Sequence, residues 1–579
     1  MTSTSAARDA SVASAPDGEL THRQILTVLS GLLLGMFLAA LDQNIVSTAI
    51  RTIGDDLHGL NLQAWVTTAF LITSTITTLL YGKLSDIYGR KSLFLLAITI
   101  FVLGSALCGL ANSMYLLAAF RAFQGLGAGG LFSLALAILA DIVSPQDRPR
   151  YMGYFMAVFA TSSVLGPVVG GFLSGQSSIL GIAGWRWIFW VNVPIGALAL
   201  AVVSKVLRLA HVRRPARVDW AGSGTVIVGL VPLLIVAEQG RDWGWGSPRS
   251  LACYVVGAIG LVAWYYAERS MGEDALIPLR LFGIKTFSIG TVQTLIIGVG
   301  MFGGIAAIPL YLQIVKGATP TRAGLLILPL VVGIMVAAMV AGQITARTGR
   351  YKLFPIAGSI AMVVALALLS RVHADTSLVV TDVYMVLFGL GLGLNMQTVQ
   401  LAIQNSVAPR DIGVATSSAT FFRQVGGTLG AAVFLSILFS AAPSKIASAY
   451  NAAQSDPAFQ AAAKAHPDQL TTVTHSSGSL SDTDFLNGLA KALAHPFLVG
   501  FSDAMDLVFL VGALVVVLAV VFSVLLPELP LRQMSGAAAA RAEEQKAAEA
   551  LGGTDVTATT DRPATTDRPV TTDRPVTGE

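Results

Sequence analysis

Apolar residues in this chain gather into long runs separated by short polar breaks. A membrane-crossing helix needs about 20 mostly apolar residues, and about 14 runs approach that length. The first six cover roughly 25–47, 64–81, 92–110, 115–140, 153–173 and 187–206. Two more lie near 220–238 and 250–268, and the last six near 287–312, 323–345, 353–370, 381–404, 413–440 and 505–526. The pattern predicts an all-α polytopic membrane protein. The first run, from Ile25, carries a carboxylate, Asp42, deep inside it. A charge in hydrocarbon is costly, so an acid there is a functional-site candidate by default.

Composition agrees with the pattern. Of 579 residues, 54% are hydrophobic and only 12% charged, about half the charged fraction of a soluble domain. The net charge of +4 does not point to nucleic acid, because the basic residues sit in short breaks where they report topology. With the N-terminus in the cytoplasm, 17 lysines and arginines fall in inner short loops and seven in outer ones. That asymmetry fits an even count with both termini inside. Residues 1–22 lack a basic signal-peptide start, and the first run is too long for a signal core, so it reads as a retained span. Cys108 and Cys253 stand in separate apolar runs, with no disulfide framework or metal spacing. His466, His475 and His495 also lack a ligand pattern, so no metal is expected.

The two halves resemble each other. GKLSDIYGRKSLF at 82–94 returns as GQITARTGRYKLF at 342–354, and GLGAG at 125–129 returns as GLGLG at 389–393. SPQD at 144–147 returns as APRD at 408–411. Parallel repeats of six spans suit a transporter with a site at the membrane midplane. The layout expected is a cytoplasmic segment 1–24, a six-helix bundle 25–207, linkers with two inserted spans 208–286, and a second bundle 287–526. That second bundle includes an outer loop, 441–503. The tail 527–579 ends in TTDRP repeats that cannot bury a core and is expected to be disordered.

Several residues carry candidate chemistry. Arg121 lies inside the fourth run and needs an acidic or carbonyl partner, for which Asp42 is the first candidate. In the loop after the second span, Asp86 and Arg90 stand four apart and can pair on a helix. Asp141 offers Arg90 a second partner, Asp86 can face a helix start near Gly413, and Gly82 and Gly89 permit close approach and a tight turn. Such a latch would hold the halves together on the cytoplasmic side. In the fifth span Pro167 removes a helix hydrogen bond, and Gly166, Gly170 and Gly171 allow close packing. Gln397, Gln400 and Gln404 share one helix face, with Asn395 nearby. Together with Gln43, Asn44, Tyr311 and Gln313 they are candidates to line a water-filled cavity, interhelical bonding being the competing role.

These stretches resemble the major facilitator superfamily. GKLSDIYGRK (82–91) is similar to its signature loop, although the second copy has Ala346 in place of the acid. LAAFRAFQGLG (117–127) looks like its fourth-span motif, in which the arginine is associated with proton transfer. GPVVGG (166–171) resembles the motif of its antiporters. LDQNIVSTAI (41–50) is similar to the first-span motif of the fourteen-span drug:proton antiporters, with Asn44, Ser47 and Thr48 departing from it. WRWIFWVNVPIG, PLYLQ and FRQVGG are weaker matches.

The resemblance implies a major facilitator fold of two six-helix bundles plus two inserted helices. It implies a monomeric, proton-coupled antiporter in a bacterial inner membrane, with no cofactor. Such a protein exports amphipathic drugs or antibiotics. A polar cavity with one carboxylate suits cationic or neutral compounds. Export of a self-made metabolite or lipid is the alternative, and a proton-coupled importer fits less well. The sequence shows no nucleophile–base pair, so an enzyme is not expected, nor any filter-like segment of a channel.

Overall fold

The computed structural model describes residues 21–57, 63–207, 218–466, 468–469 and 488–532. The N-terminal segment, the linker 208–217, His475 and the repeat tail from residue 533 lie outside them. Seven helices form the first bundle: α1 (His22–Asp56), α2 (Gln63–Tyr88), α3 (Arg90–Cys108), α4 (Met114–Ile142), α5 (Arg148–Ser174), the short α6 (Arg186–Trp190) and α7 (Asn192–Val206). The inserted pair is α8 (Trp220–Trp243) and α9 (Pro248–Met271). The second bundle holds α10 (Lys285–Leu310), α11 (Pro320–Leu326), α12 (Leu328–Thr348), α13 (Leu353–Leu369), α14 (Leu378–Ser406), α15 (Ile412–Ala453) and α17 (Lys491–Leu525). A small helix, α16 (Pro457–Ala465), packs on α17.

Thirteen helices among the described residues are long and apolar enough to cross a membrane. The run expected at 353–370 forms the shorter α13, with 17 residues. Two runs extend past their apolar limits. The helix of run 413–440 continues to Ala453, and that of run 505–526 begins at Lys491. Much of the segment read as an outer loop is therefore helical at both ends. Alanines, serines and lysines there are too polar for hydrocarbon, yet Ala and Lys are good helix formers.

Each bundle has its own core. Phe94, Phe101, Leu131, Ile138 and Phe155 pack in the first, and Met362, Phe388, Leu392, Phe501 and Phe509 in the second. The repeated glycines do the same job in both. A Cβ on Gly125 or Gly129 would strike the α2 carbonyls of Phe70 and Ser74. One on Gly389 or Gly393 would strike the α12 carbonyls of Leu330 and Ile334. Gly89 and Gly349, equivalent in the two loops, both have positive φ, 93° and 69°, where a side chain is strained.

The inserted pair docks on α2 and α15, and buried acids anchor the chain that follows it. Glu268 accepts from the Trp264 Nε1 (2.7 Å) and from the Ile277 backbone N–H (2.9 Å). Asp219 caps α8 at the Gly222 N–H (2.6 Å). Glu268→Leu would leave two buried donors unpaired, at about 1–3 kcal/mol each. A lower melting temperature and faster proteolysis within 272–284 are expected; unchanged cleavage would show that this anchor is dispensable.

Candidate functional site

Asp42 is completely buried within the first bundle. Arg121 Nη1 donates to its Oδ2 at 2.6 Å. Gln124 Nε2 and Asn192 Nδ2 donate to its Oδ1 at 3.0 and 2.8 Å. Asn192 also donates to the Ser105 hydroxyl at 3.0 Å. The Arg121 guanidinium lies over the Phe70 ring, 4.0 Å from its centre. Four helices, α1, α3, α4 and α7, thus converge on one carboxylate. Arg121 is the partner expected from the sequence. Gln124 and Asn192 were missed, although Gln124 sits one helical turn from Arg121 in the same motif.

The latch residues also meet. Arg90 pairs with Asp86 and with Asp141, both at 2.7 Å, and its Nη1 donates to Ser85 Oγ. Asp86 and Arg90 press on Gly413 at the start of α15, where a Cβ would overlap both. Gly82, one turn before Asp86, lies against Ser417 and the Gly413 carbonyl. On the same end, Arg148 Nη1 donates to Gln404 Oε1, and Gln146 Nε2 to the Ala346 carbonyl at 3.2 Å. Ala346, where the second loop lacks its acid, supplies a backbone acceptor instead. The two bundles are therefore sealed together at the latch end.

Gln397, Gln400 and Gln404 line a cavity in this seal with Arg148, Thr398 and Leu401. It is about the size of a single water. Gln404 Nε2 donates onward to Thr416 Oγ1 at 2.8 Å, and Gln400 Nε2 to the Thr416 carbonyl at 3.4 Å. Arg148 is 1% exposed. Its other acceptors are the Ala140 and Val143 carbonyls, at 3.0 and 3.2 Å. Burial lowers its pKa to about 10, with the Asp141 charge opposing that shift.

Five cavity candidates are placed elsewhere. Asn395 is buried inside the second bundle, where it accepts from Ser359 Oγ (3.1 Å) and Gln293 Nε2 (3.3 Å) and donates to the Gly391 carbonyl (3.0 Å). Only two residues from Gln397, it turns about 200° away and serves interhelical bonding. Tyr311 is buried and donates to the His373 carbonyl at 3.2 Å. Gln313 stands exposed in the π-helical turn that ends α10. Asn44 donates to the Ala40 carbonyl of its own helix at 2.9 Å. Gln43 is half-buried beside Asp42. In α5, a Cβ on Gly166 would overlap Asn44, and one on Gly170 would meet the Ile45 carbonyl at 2.9 Å. Pro167 faces Gly324 of the other bundle, so this segment packs α5 on α1 and reaches α11. Half-buried Gly171 follows in the same helix.

At the end away from the latch, His373 Nδ1 lies 3.9 Å from carboxylate oxygens of both Asp503 and Asp506. His495 contacts Asp375 at 3.2 Å.

Two helical bundles joined by a latch, with a polar seam between them, define a multi-pass membrane transporter of small molecules. The chain belongs to the Major Facilitator Superfamily, whose sequence profile matches residues 32–431. Among curated relatives, an uncharacterized MFS-type transporter of Mycobacterium tuberculosis, Rv1877, is 34% identical over 87% of this chain and 70% of that protein. The Bacillus subtilis multidrug transporter protein MdtP is 34% identical over 72% of this chain and 75% of its own. Multidrug resistance protein 3 of the same species is 34% identical over 73% and 81%. The solved proton:xylose symporter XylE shares the fold, with a TM-score of 0.56 and 15% identity over 90% of this chain and all of that one. The family marks the chain as a transporter.

Proposed function

We propose that this protein is a fourteen-span, proton-coupled antiporter that moves amphipathic compounds outward across a bacterial inner membrane. The observation that carries the reading is the buried Asp42–Arg121 pair. A carboxylate at zero exposure is stable ionised only while its donors stay in place. Moving α1 against α4 would take Arg121 away and leave the buried carboxylate without its counter-charge, a state that protonation relieves. Alternating bundle motion can therefore load and unload one proton. The relatives named as multidrug transporters support the efflux direction. Helix α13 counts as the fourteenth span because it packs between α14 and α17. An even number keeps both termini, and the latch, in the cytoplasm under the positive-inside rule. The proton gradient supplies the drive without a cofactor, and a single chain holds every part of the site.

The test is discharge of a preformed ΔpH. Everted vesicles carrying the protein are acidified inside, and amphipathic fluorescent compounds are added one at a time. At least one compound is expected to accumulate while collapsing ΔpH. Accumulation that ignores both ΔpH and Δψ would overturn proton coupling.

A further inference from the structure

The seam between the bundles carries a cation, Arg423, that among the described residues no acid pairs with. Arg423 lies eleven residues into α15, about 16 Å from the helix start at 1.5 Å per residue and so near mid-membrane. It is half-buried. Among the described residues no carboxylate stands within ion-pair distance of it, and its guanidinium has no hydrogen-bond acceptor. Its direction follows from the helix. Thr416, seven residues earlier, lies on nearly the same stripe at 3.6 residues per turn, and Thr416 meets Gln400 and Gln404 at the seam. The neighbouring Gln424 accepts from Thr78 of the other bundle at 3.2 Å. Arg423 therefore stands about 10 Å beyond the Gln400–Gln404 layer, along the boundary of the bundles.

Arg148 is a second seam cation, one that feels the charge of Asp141 without hydrogen-bonding it. It belongs to the first bundle and reaches across to Gln404 of the second. Its acceptors are a side-chain amide and two carbonyls, all neutral. The charge of Asp42 is already matched by Arg121, inside the first bundle. Asp86 and Asp141 share Arg90 and offset Arg148 at the latch end, so the unmatched charge that a molecule in the seam meets is that of Arg423, and it is positive. That reverses the sign suggested by the lone carboxylate in the sequence. An intramembrane arginine without an acid is costly to keep, and a guanidinium suits bidentate carboxylate or phosphate recognition.

We propose that the transported compounds are amphipathic anions, with an apolar body and a carboxylate or phosphate head that pairs with Arg423. Opening the latch end removes Gln404 from Arg148 and frees that guanidinium to receive the head group first. This rests on the efflux reading above for the direction of travel, but the charge preference does not depend on proton coupling. Coupled to one proton entering, an exported monoanion moves two positive charges inward, whereas a monovalent cation moves none.

The experiment is equilibrium binding to purified full-length protein without any gradient. The probes are a fluorescent dodecanoate, the matching dodecyl phosphate, the dodecanoate methyl ester and ethidium. The anions are expected to bind at least 10-fold tighter than the ester, and the two head groups tell carboxylate from phosphate. Arg423→Gln should weaken anion binding about 10-fold, and Arg423→Lys should restore most of it while the ester stays unaffected. Equal affinity for ester and acid, tighter ethidium binding, or no change in Arg423→Gln would overturn the proposal. A variant that fails to elute as a monodisperse peak is replaced by a salt titration of wild-type binding. Anion affinity must then fall with ionic strength, and a flat response counts against pairing. Loss of ΔpH discharge with anion preference intact would sink only the antiporter reading.

Discussion

Asp42→Asn is expected to abolish gradient-driven transport and to lower the stability of the folded protein. The amide keeps the size of the side chain but cannot hold a negative charge or exchange a proton. Arg121, 2% exposed, is then left as a buried cation. Removing one partner of such a pair costs about 3–5 kcal/mol. Transport loss alone would not separate coupling from misfolding, so a second variant is needed. Asp42→Asn with Arg121→Gln removes both charges and leaves neutral groups able to bond Gln124 and Asn192. Its melting temperature should recover most of the drop, while discharge of ΔpH stays absent. If the double variant transports with a normal ΔpH dependence, the proton is carried elsewhere.

The second large effect belongs to Gly82. In the sealed arrangement a side chain at this position would penetrate Ser417, including its Cβ. Rotating the Ser417 hydroxyl cannot relieve that overlap, so α2 and α15 must separate. Gly82→Val is expected to shift the protein towards states open at the latch end and to slow transport at least 10-fold. Leu401, 4% exposed and lining the seam, gives a reporter position. In a background lacking Cys108 and Cys253, Leu401→Cys should react with a membrane-impermeant maleimide much faster when Gly82→Val is present. Equal labelling rates would mean that α2 and α15 accommodate the valine without opening. Asp86→Ala should act in the same direction but more weakly, because Arg90 retains Asp141.

The resemblance between halves was legible because it is written in glycines. GLGAG and GLGLG recur where backbones touch, and Gly89 and Gly349 recur where the chain turns through positive φ. Close contact excludes any other residue, so the pattern is visible without coordinates. The need of Arg121 for an acid was legible on similar grounds, since a lone charge in an apolar run demands a partner. The same signal marked Arg423, in the apolar run 413–440, and was passed over among the motif matches.

What the sequence determined alone is the number and order of apolar runs, their orientation bias and the charges that must be satisfied within them. Hydrocarbon forces these through composition, because every buried backbone group and charge is costly there. Tertiary structure decided which polar groups share a site. Helical periodicity gives the face on which a residue lies but not the helix that face meets. Asn395 therefore bonds within its own bundle while Gln404, on the opposite face of the same helix, crosses to Arg148. Gln124 and Asn192, 82 and 150 residues beyond Asp42, reach it only because α1, α4 and α7 close around one point.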